Sequence, residues 1–97
     1  KRLVLILALN CYQHCLEHLS FDNASYFEAY TEKIIGKNIS LYERNILHYL
    51  KGFAFYQKGQ CKEGCKQMQE ALRIFDLLGL PEQVAYYQEH YEKFVKD

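Results

Sequence analysis

Four cysteines are the residues of this chain best suited to chemistry, and they occur as two pairs with the same spacing. Cys11 and Cys15, like Cys61 and Cys65, are four residues apart, so on a helix both thiols of a pair lie on one face. Two such pairs could form a four-thiolate zinc site. Structural zinc sites usually place such pairs at turns, whereas free cysteines are among the most buried residue types. We therefore interpret the four cysteines as small core residues and predict no metal and no cofactor.

Two histidines alternate with the first cysteine pair at helical spacing and could extend it to a metal-binding or catalytic group. His14 and His18 have Glu17 as the only carboxylate close enough in sequence to orient them, and His48 and His90 are far away. We interpret these histidines as ordinary surface or partly buried residues. The sequence contains no glycine-rich phosphate loop, no serine nucleophile elbow and no pair of carboxylates spaced for acid–base catalysis. It therefore favours a binding protein and not an enzyme.

The tyrosines, nine in all, point to a binding surface instead. Tyr49, Phe53 and Tyr56 recur at helical spacing and form one aromatic stripe in the middle of the chain. Such rings can pack against the side chains of an extended peptide, while neighbouring amides bond its backbone. The alternative is that the stripe is core between neighbouring helical hairpins, and the pattern leaves both interpretations open. The candidate groove residues are Asn10, Gln13, Glu17, Tyr49, Phe53, Tyr56 and Gln57.

Five helices are predicted to position these residues, because apolar residues recur every three or four positions and no alternating pattern persists. The helices cover about residues 3–19, 24–35, 40–58, 61–78 and 81–96. Ser40 and Glu43 fit a capping box at the start of the third helix, and Gly59 ends it. The last helix has one apolar and one charged face, as the end of a helical solenoid requires.

The third and fourth helices have the layout of a repeat. Residues 45–78 contain two apolar-periodic segments around one short break, and Gly52 and Gly64 provide small residues where two helices must approach closely. This is the layout of a tetratricopeptide unit, a helical hairpin of about 34 residues. The first two helices repeat it weakly. The predicted fold is all-α, with tetratricopeptide-like antiparallel hairpins forming a fragment of a right-handed α-solenoid, although His48 and Lys51 depart from the generic repeat pattern.

Length and charge restrict the function further. The chain has 97 residues, enough for one domain, and its twelve basic residues balance twelve acidic ones. Because phosphate neutralisation supplies most nucleic-acid affinity, a chain without a basic stripe is not expected to bind DNA by itself. The apolar run at residues 3–9 is far shorter than the about 20 residues of a membrane span, so we expect a buried helix there, with a signal peptide as the weaker alternative.

The chain from residue 21 onward resembles the C-terminal end of the Rgg/GadR/MutR family of transcriptional regulators from Gram-positive bacteria. The similarity lies in the overall pattern, since no single motif in it is diagnostic. The resembling features are LYER at residues 41–44, LKG at 50–52, the turn at Gly59, the GxxxMxxALxIF pattern at 64–75, and the closing amphipathic helix with YEKF at 91–94.

The resemblance implies a cytoplasmic regulator in which a helix-turn-helix DNA-binding domain precedes a helical-repeat domain. We expect residues 1–97 to be one such repeat domain, a fragment that lacks the DNA-binding part. In the family this domain dimerises and can bind a short signalling peptide on its concave face, as in quorum sensing. DNA would then be contacted only through the missing domain, and no membrane is involved. The alternatives are a protein–protein interaction scaffold without a small ligand and, as the weakest, a cysteine-based metal-binding bundle.

Overall fold

The computed structural model describes residues 2–36 and 40–96, and in this part of the chain every regular element is a helix. This confirms the predicted all-α fold with five helices. No described helix has the length and apolar character needed to cross a bilayer. In chain order the helices are α1 (Arg2–Glu17), α2 (Phe21–Ile35), α3 (Leu41–Gln57), α4 (Cys61–Leu77) and α5 (Pro81–Phe94).

The second helix begins three residues earlier than predicted. The chain turns at Leu19, whose φ of 59° is left-handed, and Ser20 then occupies the N-cap position of α2. Asn23 donates its side-chain amide to the Ser20 hydroxyl at 3.0 Å, which steadies this tight entry. The first hairpin is also joined by a side-chain bond, in which the Tyr12 hydroxyl donates to Glu28 at 2.9 Å.

The hairpin of α3 and α4 is packed most closely at its two glycines. A Cβ atom built on Gly64 would lie 2.5 Å from the backbone nitrogen of Tyr56 and 2.6 Å from the carbonyl oxygen of Gly52. A Cβ atom on Gly52 would lie 2.9 Å from the Cβ of Gln67. Only glycine allows the two backbones to come this close, which is the role that the repeat pattern predicts for these positions.

The predicted capping box at the start of α3 is present in part. The Ser40 hydroxyl donates to the Glu43 carboxylate, so the two residues meet as expected. Among the described residues, however, the Ser40 side chain accepts no bond from a backbone amide of the first turn. The pair therefore fixes the entry of α3 through side chains and not through the full reciprocal arrangement.

The core lies between the hairpins, with α3 at its centre. Helix α1 packs on α2 and α3, α3 packs on α4, and α5 packs on α4 while its aromatic rings reach α3. The Asn45 amide donates to the carbonyl of Ala71 at 2.8 Å and ties α3 to α4. The fully buried large side chains include Leu5, Tyr12 and Leu16 of α1, Tyr49, Leu50 and Phe53 of α3, and Met68 and Phe75 of α4.

Candidate functional site between the first and last helices

Polar side chains of α1 and α5 meet above α3, and we call the space around them the α1–α5 cleft. The Gln13 amide donates to the Tyr86 hydroxyl at 3.1 Å, and the Glu17 carboxylate lies 3.0 Å from Nε2 of His90. Gln13 also donates to Glu17 at 3.0 Å, which links the two contacts. Each bridging pair is separated by 73 residues of sequence, so these contacts exist only because the chain folds back on itself.

His90 is the buried centre of this network. Its side chain is 6% exposed, and its ring lies 4.6 Å from the Phe53 ring in a T-shaped arrangement. The Tyr49 hydroxyl lies 2.9 Å from Nδ1 of His90 and 3.3 Å from the carbonyl oxygen of Tyr87. In the neutral ring, Nε2 therefore carries the proton and donates to Glu17, while Nδ1 accepts from Tyr49.

The same burial decides which groups carry charge. Burial lowers the pKa of His90, although the Glu17 carboxylate beside it acts in the opposite direction. Burial also raises the pKa of the Tyr49 and Tyr87 hydroxyls, with neighbouring tyrosines adding to the effect. Tyr49 therefore remains a hydrogen-bond donor at any physiological pH.

The Gln13–Tyr86 bond separates two cavities of different character, and Gln13 lines both. The smaller, of about 100 Å³, has no charged lining residue, whereas the larger, of about 340 Å³, carries charged groups. The smaller cavity is lined by Ile6, Leu9, Asn10, Gln13, Tyr42, Ile46 and Tyr87. The larger cavity is lined by Gln13, Glu17, Tyr86, Glu89, His90, Lys93 and Phe94.

The structure brings together five of the seven residues predicted from the sequence. Gln13 and Glu17 bridge the cleft, and Asn10 lies exposed at the lip of the smaller cavity. Tyr49 and Phe53 lie directly beneath, with no exposed surface, so in this structure their rings are core between the hairpins. A role of these residues in ligand binding stays a prediction, and for Tyr49 and Phe53 it would be support from below and not direct contact.

The other two predicted residues lie outside the cleft. The Gln57 amide donates to the carbonyl of Leu16 at 2.8 Å and so joins the end of α3 to the end of α1. The Tyr56 hydroxyl accepts the backbone amide of Lys96 at 3.0 Å and lines a separate groove. Both side chains lie at the end of α3, beyond the cleft, and make tertiary contacts there.

Sequence reasoning missed the contribution of α5. Tyr86, His90 and Lys93 recur at helical spacing beside the apolar stripe of this helix and form one wall of the larger cavity. That spacing was a usable signal, but a helix at the end of a repeat array was expected to have a plain solvated face. No short-range sequence pattern indicates that the polar face of α5 packs towards α1.

The interpretation of the cysteines as core residues is wrong for two of them. Cys11 and Cys61 are exposed, and Cys15 and Cys65 are half-buried. The buried stripe of α1 runs through Tyr12, which leaves Cys11 beside it on the solvent side. All four thiols are free, and among the described residues no three potential metal ligands come together.

Comparison with known proteins gives one family and one set of similar structures. Residues 1–89 match the family described as HTH-type transcriptional regulator Rgg, C-terminal domain. The fold is similar to two crystal structures of the SHP pheromone receptor Rgg2 from Streptococcus dysgalactiae, one of them a cysteine-to-serine variant. The TM-scores are 0.89 for the receptor and 0.90 for the variant, each at 31% sequence identity.

The two matches cover 96% of this chain but only 34% and 35% of the receptor chains. The chain therefore spans about a third of the length of the receptors that it resembles. No curated protein matches the sequence significantly.

Proposed function

Since the chain belongs to the Rgg family of transcriptional regulators, as part of their C-terminal domain, we propose that it senses a short peptide in the α1–α5 cleft. Proteins of similar structure are receptors for the SHP pheromone, which supports a signalling ligand. Binding, and not catalysis, is the work proposed for the chain, and a transcriptional regulator would do this work in the cytoplasm.

The observation that carries the proposal is the pair of unlike cavities on either side of the Gln13–Tyr86 bond. Ile6, Leu9 and Ile46 make the smaller cavity suited to an apolar side chain, while Glu17 and Lys93 make the larger one suited to polar or charged groups. The exposed Tyr86 hydroxyl and the buried Gln13 amide can exchange their mutual bond for bonds to a peptide backbone.

Such a ligand would act on the helices that it separates. A peptide that occupies both cavities must break the Gln13–Tyr86 bond, and α1 and α5 would then be held through the ligand. A ligand shifts a conformational equilibrium only through its different affinity for the two states. We propose that the arrangement of α1 relative to α5 is the difference that an attached DNA-binding domain would detect.

The direct test blocks the smaller cavity from its exposed lip. Asn10→Trp would fill the opening next to Gln13, while Ser25→Trp places the same side chain at an exposed position on α2 outside the cleft. Isothermal titration with short apolar peptides is expected to show binding to the wild type and to the α2 variant. Blocking the cavity should reduce the affinity by about tenfold or more, the equivalent of about 1.4 kcal/mol. Equal affinity of both variants would place the peptide elsewhere.

A second candidate is a protein–protein interaction domain without a small ligand. It is favoured by the exposed apolar side chains of Leu3 and Leu7 on α1, which are 71% and 56% exposed. A homodimer is the partner implied by the family resemblance, and DNA would be contacted only through the DNA-binding domain. If light scattering shows stable self-association while no peptide gives a heat signal, this second function is the correct one.

A further inference from the structure

A second groove lies between α4 and the end of the chain, away from the α1–α5 cleft, and we call it the basic groove. It has a volume of about 400 Å³. Four of the twelve basic residues of the chain line it, and among the described residues no carboxylate does. Its lining residues are Tyr56, Cys61, Lys62, Cys65, Lys66, Gln69, Arg73 and Lys96.

One wall of the basic groove is a continuous stripe of α4. Lys62, Lys66, Gln69 and Arg73 follow one another at intervals of four, three and four residues, which places them on one helix face. With a rise of 1.5 Å per residue, this stripe is about 16 Å long. It therefore offers positive charge along an extended ligand and not at a single point.

On the opposite side of the groove, hydrogen bonds fix the backbone of Lys96. After α5 the chain becomes extended at Val95, and the Tyr56 hydroxyl accepts the Lys96 amide at 3.0 Å. The same hydroxyl donates to the Lys96 carbonyl at 3.4 Å. Two bonds to one tyrosine anchor the backbone, so the Lys96 side chain faces the α4 stripe across the groove.

Stability does not account for the gathering of these cations here. Within residues 2–36 and 40–96, none of the four takes part in an ion pair. Two acidic groups of α4 are engaged elsewhere, since Glu63 accepts from Gln67 and Glu70 pairs with His48. Lys62 and Glu63 both lie in the first turn of α4, so the Lys62 charge there gains nothing from the helix dipole.

From these contacts we propose that the basic groove binds an acidic segment of a partner protein, in an extended conformation. Aspartate or glutamate side chains would pair with Lys66, Arg73 and Lys96, while the groove admits one chain between α4 and the chain end. A nucleic-acid duplex is too wide for a groove of this volume, and a chain of zero net charge lacks the broad basic field that phosphate binding requires.

The test is fluorescence anisotropy of a labelled hexaglutamate peptide added to the 97-residue chain at low ionic strength. Removal of two groove cations, Lys66→Gln with Arg73→Gln, should weaken binding by about fivefold, as expected for two exposed ion pairs. The control is Lys33→Gln with Lys58→Gln, which removes the same net charge outside the groove. This control should retain the wild-type affinity, and a labelled hexaglutamine peptide should not bind.

Each other outcome overturns the proposal. Equal weakening by both double variants would mean that only net charge matters. Tighter binding of duplex DNA or inorganic pyrophosphate than of hexaglutamate, lost in the same groove variant, would assign the groove to phosphate groups instead. Absence of any binding at about 10 mM salt, where the Debye length is about 30 Å, would also reject the proposal. Thermal melting of each variant confirms that the chain is folded.

Discussion

Gly64→Ala should destabilise the chain, although alanine is the better helix former. In the middle of a helix, alanine is favoured over glycine by about 0.5–1 kcal/mol. Here the new methyl group would lie 2.5 Å from the nitrogen of Tyr56 and 2.6 Å from the oxygen of Gly52, well inside normal contact. Both atoms belong to the backbone, so α3 and α4 must move apart along much of their length to relieve the overlap.

The magnitude follows from these opposing terms. Overpacking in a well-packed interior costs about 1–3 kcal/mol, and a backbone clash on both sides of the glycine belongs at the upper end. After the gain in helix propensity, the net loss is about 2 kcal/mol. For a domain of this size that corresponds to a fall in the melting temperature of roughly 10 °C.

Two other glycines provide the controls for this measurement. Gly52→Ala should cost less, because its added methyl would meet its nearest atoms at 2.9–3.0 Å and not at 2.5 Å. Gly36→Ala should be neutral or stabilising by up to about 1 kcal/mol, because its added methyl would meet no atom closer than 3.5 Å and its φ of −57° suits alanine. Melting curves followed by circular dichroism should rank the three in this order. A Gly64→Ala variant as stable as the wild type would refute the close packing inferred for this hairpin.

The remaining predictions concern the cleft. Because burial lowers the pKa of His90 below its usual value of 6.5, the unfolded chain binds the additional proton first. The stability from the neutral ring is therefore complete above pH 6.5 and falls as the pH drops towards the lower, folded-state pKa. His90→Gln should flatten the melting temperature between about pH 8 and pH 5, and an unchanged slope would contradict this. Tyr49→Phe should cost about 1–2 kcal/mol in denaturant unfolding, because it leaves Nδ1 of His90 without its donor; a loss within error would contradict this buried hydrogen bond.

The sequence predicted the framework well because its signals were local. Gly52 and Gly64 indicated a close helix contact, since a glycine on an otherwise bulky helix face leaves room for a neighbouring backbone. The all-α class followed from the apolar periodicity in the same way. The start of α2 could not be predicted, because α1 ends in a left-handed turn at Leu19, closed by the Ser20 amide on the Cys15 carbonyl, and leucine rarely adopts this conformation.

The site was predicted only in part, for a related reason. An aromatic stripe such as that of Tyr49 and Phe53 has the same spacing whether it lines a groove or fills a core. The position of α5 above α3 decides whether these rings form a groove or a core. No short-range sequence pattern indicates that position. Glu17 and His90 are 73 residues apart, so their contact had no signature in the sequence.

The hydrogen bonds between α1 and α5 also affect how cooperatively the helices unfold. In a simple solenoid each unit contacts only its immediate neighbours, and the terminal helix can fray by itself. Here Gln13 and Glu17 connect the first helix directly to the last one, past the hairpin between them. Loss of α5 therefore also removes interactions of α1, so that these two helices unfold as one cooperative unit.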